Sequence, residues 1–579
     1  MKTYPIDSYW VNFVYFVVFL RKINVHKDGN NHGYWALVES RRTARGPRQR
    51  VVAYLGAMDA SGSLGVKMAA EGRHAFQQEF FRADEPEWIP VNIKAVHTGR
   101  VFNFGEVWLA YQLIKKLALD EFFHRVIPRG RGALPWTDLV MLPLIARFCE
   151  PRGELHIAEH FYAHSALPFL FGIPAGKIYE NRLYRALDWL LPHKEALEKH
   201  LKERFGTLFQ VRYDLLPYDI TSSYFEGECK ANDQAQRGHS RDKRPDCKQV
   251  LIALVVTGES IPLGYEIFDG NRHDSTTVEE VVTRIEAQYG AADHIWVMDR
   301  GMISEKNIHF LKQGRRRYIV GTPKSMLKNF DKQLLNKEWH TIHEGVEVQY
   351  CPSPEGDKTF ILCCSPACQE KDRAIFERFR KNIEEGLCKI KQACDSGRLM
   401  QRNSRAARLF DISVRKEESD RISLSWQQRQ EIADWVALTN GCYLLRSSIT
   451  DWSAEELWRA YIQLTEAEDA FRIHKGVFRL RPIWNQNKER VQAHIFVCFL
   501  AFVLWKTLAQ MCQNAGPGHQ PRKILDELKH IKLTEVILPT PKGVEMKLYC
   551  VSKLDPDQKI ILQRLKLNLP SRLAENSKI

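Results

Sequence analysis

The chain has 579 residues, of which 44% are hydrophobic and 27% are charged, and its formal net charge is +14. This composition excludes an intrinsically disordered protein, and the length predicts several domains of roughly 150 residues each. The excess of positive charge favours a polyanionic partner, nucleic acid before a membrane surface.

Cysteine usage and hydropathy bear on the compartment. The 13 cysteines are odd in number and form no regular framework, which predicts reduced thiols in a cytoplasm. The apolar run from Tyr9 to Leu20 is shorter than the ~20 residues of a membrane span, and its basic residues follow the run. We therefore expect no secretory signal, no membrane partner and a cytoplasmic protein.

Two regions precede the first motif of chemical interest. Residues 1–95 are predicted to form an N-terminal β-hairpin region, in which residues 32–56 make two strands joined by a basic turn at Arg45 to Arg50. Residues 96–210 carry apolar residues at helical spacing, separated by Pro and Gly, and predict a helical domain. In a basic protein such a domain is a candidate DNA-binding domain, although most such domains are simply bundles.

The hydrophobic period changes at residue 211. Between residues 211 and 325 the pattern predicts three strands, a helix, a strand, a helix and a strand, an α/β layer of the ribonuclease H type. Asp219 lies in the first of these strands, LLPYDITSSYF, and Asp299 ends the later strand HIWVMDRG. A single Asp after a strand is as often a turn or cap residue as a functional one.

The rest of the chain is predicted to leave the α/β layer for an inserted domain and then to return to it. Residues 326–440 are predicted to be an inserted domain, because 169 positions between Asp299 and Glu468 exceed one βαβ connection. Residues 441–512 bring the chain back to the layer, and residues 513–579 form a C-terminal tail. In the returning part, His494 on an apolar helix is interpreted as a satisfied core histidine rather than a ligand.

The helix that begins after Ser453 carries an aromatic residue, an acid and a base on one face. Tyr461, Glu468 and Lys475 are seven positions apart, about two turns, and Arg472 lies one turn beyond Glu468. Such a face is often only a solvated ion-pair surface. Together with two acids on strands of a compatible fold, Glu468 is better explained as a functional residue.

Three carboxylates that meet need a cation to offset their repulsion. Oxygen ligands select Mg²⁺, with Mn²⁺ as a substitute, and two such ions promote phosphodiester chemistry. Asp219, Asp299 and Glu468 are therefore the predicted catalytic and metal-binding residues. The predicted contacts with DNA lie beside them, on Tyr461, Arg472, Lys475, Arg479 and Arg481.

Several motifs carry a family resemblance that runs from about His32 to Leu508. They are YDITSSYFEG, VMDRGM, the spacing Tyr461-x2-Leu464-x3-Glu468-x6-Lys475, AFRIHKGVFRLRPIW and RVQAHIFVCFLAF. These motifs resemble the DDE transposases of bacterial insertion sequences, in the insertion-sequence-4 superfamily and its insertion-sequence-1634 branch. The family often has Arg where this chain has Leu464.

The resemblance implies a DNA transposase that cleaves and joins strands at the terminal inverted repeats of an insertion sequence. It implies a ribonuclease-H-like core interrupted by a mostly β insertion domain, two Mg²⁺ ions, and cut-and-paste movement through hairpin-ended DNA. The implied partners are double-stranded DNA with terminal inverted repeats, target DNA and a second copy in a homodimer, at the bacterial nucleoid. An aromatic residue of the insertion would stabilise a flipped base, with Trp435 and Trp452 as candidates.

The residues leave two other functions open. Asp219 and Asp299 also suit a phosphatase of the haloacid dehalogenase type, but position 221 is Thr where that class usually has a second acid. That class also leaves the Glu468 helix unexplained. The other alternative is an inactive or domesticated transposase that only binds DNA, against which the presence of all three acids argues weakly.

Overall fold

The computed structural model describes most of the chain. The described ranges are residues 18–27, 30–43, 46–56, 90–128, 134–290, 294–336, 338–353, 356–387, 407–416, 422–516, 520–541 and 543–573. The chain forms two compact units, of which the first is Met1–Lys94 with Pro539–Val544 and the second is Ala95–Leu538 with Glu545–Ile579.

Strands occur in both units. In chain order they are β1 (Val18–Lys27), β2 (Asn30–Thr43), β3 (Gly46–Gly56), β4 (His97–Asn103), β5 (Leu215–Tyr224), β6 (Gln249–Val256), β7 (Pro262–Asp269), β8 (Ile295–Met298), β9 (Arg317–Gly321), β10 (His340–Thr341), β11 (Glu347–Pro352), β12 (Thr359–Cys364), β13 (Phe410–Lys416), β14 (Ile422–Gln428), β15 (Cys442–Ser447), β16 (Lys532–Pro539), β17 (Glu545–Val551) and β18 (Arg572–Leu573).

Helices dominate the stretch before β5 and the stretch after β15. In chain order they are α1 (Gly105–Lys116), α2 (Leu119–Val126), α3 (Trp136–Cys149), α4 (Glu154–His156), α5 (Leu167–Phe171), α6 (Glu180–Leu190), α7 (Lys194–Phe209), α8 (Val278–Tyr289), α9 (Glu305–Gln313), α10 (Asp331–Leu335), α11 (Pro366–Leu387), α12 (Gln430–Leu438), α13 (Ala454–Ile462), α14 (Leu464–Gly476), α15 (Lys488–Ala515), α16 (Pro521–Leu528) and α17 (Pro556–Arg564).

The first unit contains a three-stranded antiparallel sheet in the order β1-β2-β3. Two of these strands are the ones that the sequence predicts over residues 32–56. The additional strand β1 pairs with β2 from Val18↔Glu39 to Lys27↔Asn30. Of the predicted basic turn, residues 46–50 belong to β3 instead, and Arg45 lies outside the described residues.

A nine-stranded mixed sheet organises the second unit, in the order β10-β11-β12-β15-β9-β8-β5-β6-β7. Strands β5, β8 and β9 run parallel to one another, and the remaining neighbours are antiparallel. Along the chain, the elements from β5 to β9 follow the predicted sequence of three strands, a helix, a strand, a helix and a strand. The chain has a mixed α/β fold.

Alternation along the strands assigns side chains to the two faces of this sheet. On β8, Trp296 and Met298 pack with helices α8 and α9, whereas Ile295 and Val297 pack with helix α13. Helices therefore cover both faces around the central strands. This arrangement explains why the four residues of β8 are all buried and read as a continuous apolar run.

Strands β10 to β12 lie within the range predicted as an insertion, yet they extend the nine-stranded sheet through the antiparallel pair β12–β15. The part of the chain that leaves the sheet begins after Cys364 and returns at Cys442. Its described elements are helix α11, the two-stranded sheet β13–β14 and helix α12.

The helix predicted from Ala454 to His474 is two helices, α13 and α14, which meet at Gln463. The Gln463 N–H donates to the carbonyl of Ala460, three residues back, so the α-helical ladder is interrupted there. The Thr465 hydroxyl donates to the carbonyl of Ile462 at 2.7 Å. That contact occupies a carbonyl at the end of α13 and stabilises the break.

Helix α15 is the longest described helix. Its side chains share one hydrophobic cluster with helices α1 to α3 and α5 to α7 and with strand β6. Among the described helices it is the one long and apolar enough to cross a bilayer, and 83% of its most apolar window is buried inside the protein. This burial is that of a core helix.

Candidate active site

The three predicted catalytic acids line one cavity of about 320 Å³. Asp219, Asp299 and Glu468 come from β5, from the residue after β8 and from α14. The other residues of its wall are Ile220, Thr221, Arg241, Asp274, Gly301, Met302 and Phe471. The prediction that these acids face one site agrees with this placement.

The parallel pair β5–β8 explains why two of the acids are neighbours. Tyr218 on β5 pairs with Met298 on β8, so Asp219 and Asp299 occupy the next step of the same register. Parallel neighbours lie about 4.8 Å apart across a sheet. Tyr218 and Ile220 are buried on the face of α8, and alternation directs Asp219 to the opposite face, where α14 lies.

Small side chains allow helix α14 to bring Glu468 to this edge. Ala467 and Ala470 are buried where α14 meets strands β5 and β6, and their size permits close approach of the helix to the sheet. Phe471 is also buried and forms part of the cavity wall. Glu468 lies between these anchoring residues, at the solvent edge of the cavity.

Burial, with a smaller contribution from neighbouring negative charge, raises the pKa of two of the three acids. Burial raises the pKa of Asp219 to about 7, the hydrogen bond from the Ile220 N–H at 2.8 Å opposes this rise, and the nearby carboxylates of Glu468 and Asp299 add to it. The pKa of Glu468 is also raised, first by desolvation and then by Asp299. The surroundings of Asp219 and Glu468 therefore disfavour the charged form of each carboxyl.

A fourth acid and an arginine share the cavity, and neither was predicted from the sequence. Asp274 forms an ion pair with the Arg241 guanidinium, and the backbone N–H of Arg241 donates to the Ser222 hydroxyl on β5. Arg241 belongs to the basic segment GHSRDKRPDCK, which has no motif that distinguishes it from a solvated loop. The one available signal was that Asp274 lies five residues after the end of β7.

The donor set of this cavity fits a hard divalent cation, because it offers carboxylate oxygens and a local excess of negative charge. As they lie, no three His, Cys, Asp or Glu side chains of the described residues are close enough to hold a metal ion together.

Tyr461 lies beside the acids from the end of α13. Burial raises the pKa of its hydroxyl, and the charges of Asp299 and Glu468 add to the shift, so the group stays protonated as a donor. The hydroxyl lies close to Gly321 at the end of β9, where an added Cβ would be 2.6 Å from the Tyr461 oxygen. Tyr461 is thus adjacent to the site although the helix break separates it from Glu468.

Lys475 and Arg481, two of the predicted DNA contacts, both bind the carboxylate of Asp242. The Lys475 Nζ is 2.8 Å from Asp242 Oδ1, and Arg481 contacts the same oxygen. The side chains of Asp242 and Lys475 are 2% and 11% exposed. In this structure Lys475 is therefore an internal ion-pair partner, and its predicted phosphate contact remains a prediction.

Arg472 and Arg479 are more accessible. Arg472 is 76% exposed and pairs with Asp469 in the next-to-last turn of α14. Arg479 follows that helix with a positive φ of 48° and lines two cavities beside it. Trp435 and Trp452, the sequence candidates for base stabilisation, both pack against hydrophobic clusters. His494 is buried, and its surroundings lower its pKa to about 3, as expected for a core histidine.

Comparisons with known families and solved structures give two family matches and distant structural likenesses, one of which is described below. Residues 212–504, slightly more than half of the chain, match the family described as Transposase DDE domain. Residues 20–84 match the family described as IS1634 family transposase, N-terminal domain. No curated protein matches the chain.

The structural likeness is to a piggyBac transposase synaptic complex with hairpin DNA, determined by cryo-EM. The two chains are 8% identical, 73% of this chain and 78% of that chain are covered, and the TM-score is 0.34. The match is too loose to bear on the site.

Proposed function

The chain belongs to the DDE transposases, in their IS1634 branch, and on that premise we propose that Asp219, Asp299 and Glu468 carry its DNA cleavage and strand transfer. The protein is a DNA transposase and DNA is its partner. The observation that supports these three residues is their convergence on one cavity from β5, β8 and α14, with the pKa of Asp219 and of Glu468 raised.

DDE transposases generally use divalent metal ions, and we propose that these three carboxylates hold two Mg²⁺ ions, for which Mn²⁺ can substitute. Bound ions would activate the attacking oxygen and stabilise the leaving oxygen of a phosphodiester. Asp219 and Asp299 are held at a fixed spacing by the β5–β8 pair, whereas Glu468 approaches from a helix. Arg241 keeps Asp274 neutralised, so that this fourth acid does not compete for the cation.

The Tyr461 hydroxyl is placed to donate a hydrogen bond at this edge of the sheet, since it stays protonated beside Asp299. We propose that it positions a phosphate oxygen of the bound strand. Arg472, Arg479 and Arg481, on α14 and the segment after it, are the proposed contacts with the DNA backbone; Arg472 and Arg481 now pair with Asp469 and Asp242. Contacts with the DNA backbone fix the position of the protein along the duplex and do not read the base sequence. Such contacts suit an enzyme that acts at one defined DNA end.

The wider assembly and organisation are also proposals. The proposed core is ribonuclease-H-like and is formed by residues 211–325 and 441–512, with residues 326–440 inserted between them. It is preceded by the regions 1–95 and 96–210 and followed by the tail 513–579. The substrates are terminal inverted repeats and target DNA, the active form is a homodimer that holds two ends, and the site of action is the bacterial cytoplasm.

The test of this function is cleavage of supercoiled plasmid that carries the element's ends, in EDTA, Mg²⁺ or Mn²⁺. We expect nicking and double-strand cleavage only with a metal ion, and loss of both in Glu468→Gln with DNA binding retained. Hydrolysis of small phosphate monoesters without nicking would instead support the phosphatase alternative. Binding without cleavage under every metal condition would support an inactive DNA-binding relic.

A further inference from the structure

Two thiols face each other where the chain leaves the nine-stranded sheet for the excursion, the stretch between Cys364 and Cys442, and we infer that they form a reversible disulfide. Cys364 is the last residue of β12 and Cys442 is the first residue of β15. The two residues are direct partners in this antiparallel pair, and both are free thiols here. The disulfide is therefore a second, oxidised form of the protein.

The register of β12 and β15 gives these two residues the spacing of a disulfide. The Ser365 N–H donates to the Gly441 carbonyl at 3.2 Å, and the Cys442 N–H donates to Thr439 within its own turn. Cys364 and Cys442 are thus a non-hydrogen-bonded pair, the closer kind, in which the Cα atoms lie about 4.5 Å apart. Disulfides join Cα atoms that are about 4.4 to 6.8 Å apart, so the backbone needs little adjustment.

The two side chains also converge. The Sγ atoms of Cys364 and Cys442 each lie 3.8 Å from the carbonyl oxygen of Asn440. Both side chains point to the same face of the sheet, where they belong to one apolar cluster with Leu362 and Leu444. The Cys442 thiol donates a hydrogen bond to the sulfur of Cys364, so the atoms that would be bonded are already in contact.

The two thiols differ in accessibility and in acidity. Cys364 is half-buried, whereas Cys442 is 3% exposed. The hydrogen bond from Cys442 lowers the pKa of Cys364, and burial opposes this shift. The same hydrogen bond, followed by burial, raises the pKa of Cys442. Cys364 is therefore the thiolate that an oxidant reaches first, and Cys442 is the thiol that completes the disulfide.

The oxidant is a small-molecule disulfide. The Cys364 thiolate attacks one of its sulfur atoms, the small disulfide bond breaks, and the first small thiolate leaves and takes up a proton. The sulfur of Cys442 then attacks Cys364 in this mixed disulfide, and its proton goes to the second small thiolate as that group leaves. Two protein thiols are oxidised to one disulfide, and the small disulfide is reduced to two thiols.

The thiol pair lies at the edge of the sheet that carries the acids. Val320 on β9 pairs with both Met298 and Arg446. Asp299, one residue after Met298, is therefore level with the residue before Arg446 on β15. Cys442 lies three residues farther along β15, about 10 Å beyond that row. The disulfide would thus close the base of the excursion on the side of the sheet where the catalytic cavity opens.

The bond would convert the excursion into a covalently closed loop. In the reduced protein the two ends are held by the strand pairing and by contacts such as the Gly441 N–H to the Asp372 carboxylate at 3.3 Å. A cross-link restricts the opened form of a loop more than the folded form, so the oxidised excursion should open less often. Disulfides of cytoplasmic proteins are usually transient or redox-sensing, which suits a reversible lock of this kind.

Peptide mapping by mass spectrometry tests the site. The full-length protein is treated with glutathione disulfide and digested without reduction. We expect wild type to yield the peptide of Cys364 cross-linked to that of Cys442, with the loss of two hydrogen atoms, and dithiothreitol should reverse it. Cys442→Ala should stop at the mixed disulfide on Cys364, because the second thiol is missing.

Two other thiols provide matched controls. Cys368 is exposed and lies on α11, close to Cys364 in the sequence, and Cys550 is partly buried on β17. Cys368→Ser and Cys550→Ser should both form the same cross-link as wild type. A disulfide between Cys364 and Cys368 in wild type would overturn the assignment, and so would glutathione on Cys368 with no cross-link between Cys364 and Cys442.

Hydrogen exchange tests the consequence. Oxidation of wild type should slow exchange in helices α11 and α12 by about tenfold, whereas Cys364→Ser treated in the same way should exchange at the reduced rate. Equal exchange in oxidised and reduced wild type, with the cross-link formed, would overturn the lock. Neither measurement uses DNA or a metal ion, so a protein that fails to cleave DNA would overturn the proposed function and leave this result standing.

Discussion

Lys475 of helix α14 and Asp242 of the segment between β5 and β6 form an ion pair with an Nζ–Oδ1 distance of 2.8 Å. The two residues are 233 positions apart in the sequence. Asp242 also binds Arg481, and its second carboxylate oxygen has no partner. The Asp242 carboxylate thus holds helix α14 and the segment after it against the segment between β5 and β6.

Asp242→Asn should destabilise the protein by about 3 kcal/mol, because it leaves two partly buried cations without a counter-charge. Cleavage should fall with it, since the position of α14 depends on this tie. Denaturant unfolding would measure the loss. In the double variant Asp242→Asn with Lys475→Met, part of the stability should return, and a strictly additive loss would show that the two residues act independently.

Asp219→Asn should abolish cleavage yet stabilise the metal-free protein at pH 8. The ordinary pKa of this carboxyl is 3.8 and its folded value is about 7, so folding takes up a proton between these values. Stability therefore declines as the pH rises from about 4 to 7 and remains lower above 7. Removing the charge should raise the metal-free Tm by about 2 °C.

Thermal unfolding in EDTA and in Mg²⁺, at pH 6 and pH 8, checks this expectation. Mg²⁺ should stabilise wild type more at pH 8 than at pH 6, because the ionised carboxyl binds the cation, and it should have little effect on the Asn variant. A lower Tm for Asp219→Asn in EDTA at pH 8 would contradict repulsion within the cavity.

Asp274→Asn should raise the Mg²⁺ concentration needed for half-maximal cleavage by about tenfold. The change leaves the Arg241 guanidinium in the cavity without its partner, where it opposes a divalent cation. Adding Arg241→Gln should restore most of the metal response. Equal metal dependence in wild type and both variants would mean that the pair has no electrostatic effect on the site.

Gly321→Ala should reduce cleavage by about tenfold with little change in stability. The new methyl group would lie 2.6 Å from the Tyr461 hydroxyl oxygen and 3.3 Å from the Arg300 amide nitrogen, so the hydroxyl must move. Tyr461→Phe should produce a similar loss. Because both changes act on one group, the double variant should be no slower than the slower single variant, whereas multiplied losses would separate the two effects.

Leu464→Arg should destabilise the protein by more than about 2 kcal/mol rather than add a DNA contact. Leu464 is 6% exposed and packs in the cluster that contains Ile295 and Val297. Leu464→Met, which conserves volume, is the matched control and should cost less than about 1.5 kcal/mol. An arginine variant that is as stable as wild type and binds DNA more tightly would show that the position is open to the DNA.

The sequence predicts the central layer because its signals are local. Apolar runs of four to ten residues define β5 to β9, whereas the parallel register that places Asp219 beside Asp299 is seen only in the structure. The break at Gln463 was not visible, since every residue there permits a helix and the interruption depends on a hydroxyl-to-carbonyl hydrogen bond. Its consequence is that Tyr461 and Glu468 reach the site from different helices.

Contacts between residues that are far apart in the sequence account for the features that the sequence did not predict. The partners Asp242 and Arg481 are 239 positions apart, and no local pattern distinguishes an arginine that binds a buried carboxylate from one that faces solvent. The same holds for Arg147, whose burial depends on helices α3 and α15 meeting. Strands β10 to β12 were assigned to an insertion because a short strand does not reveal which sheet it joins.

The excursion that carries α11, the hairpin β13–β14 and α12 departs and returns on adjacent strands. Cys364 at the end of β12 pairs directly with Cys442 at the start of β15, and such antiparallel partners lie about 5 Å apart. A tight turn can bridge that gap. The pairing of β12 with β15 therefore does not depend on the length of the chain between these two cysteines, and a short turn in its place would leave that pairing intact.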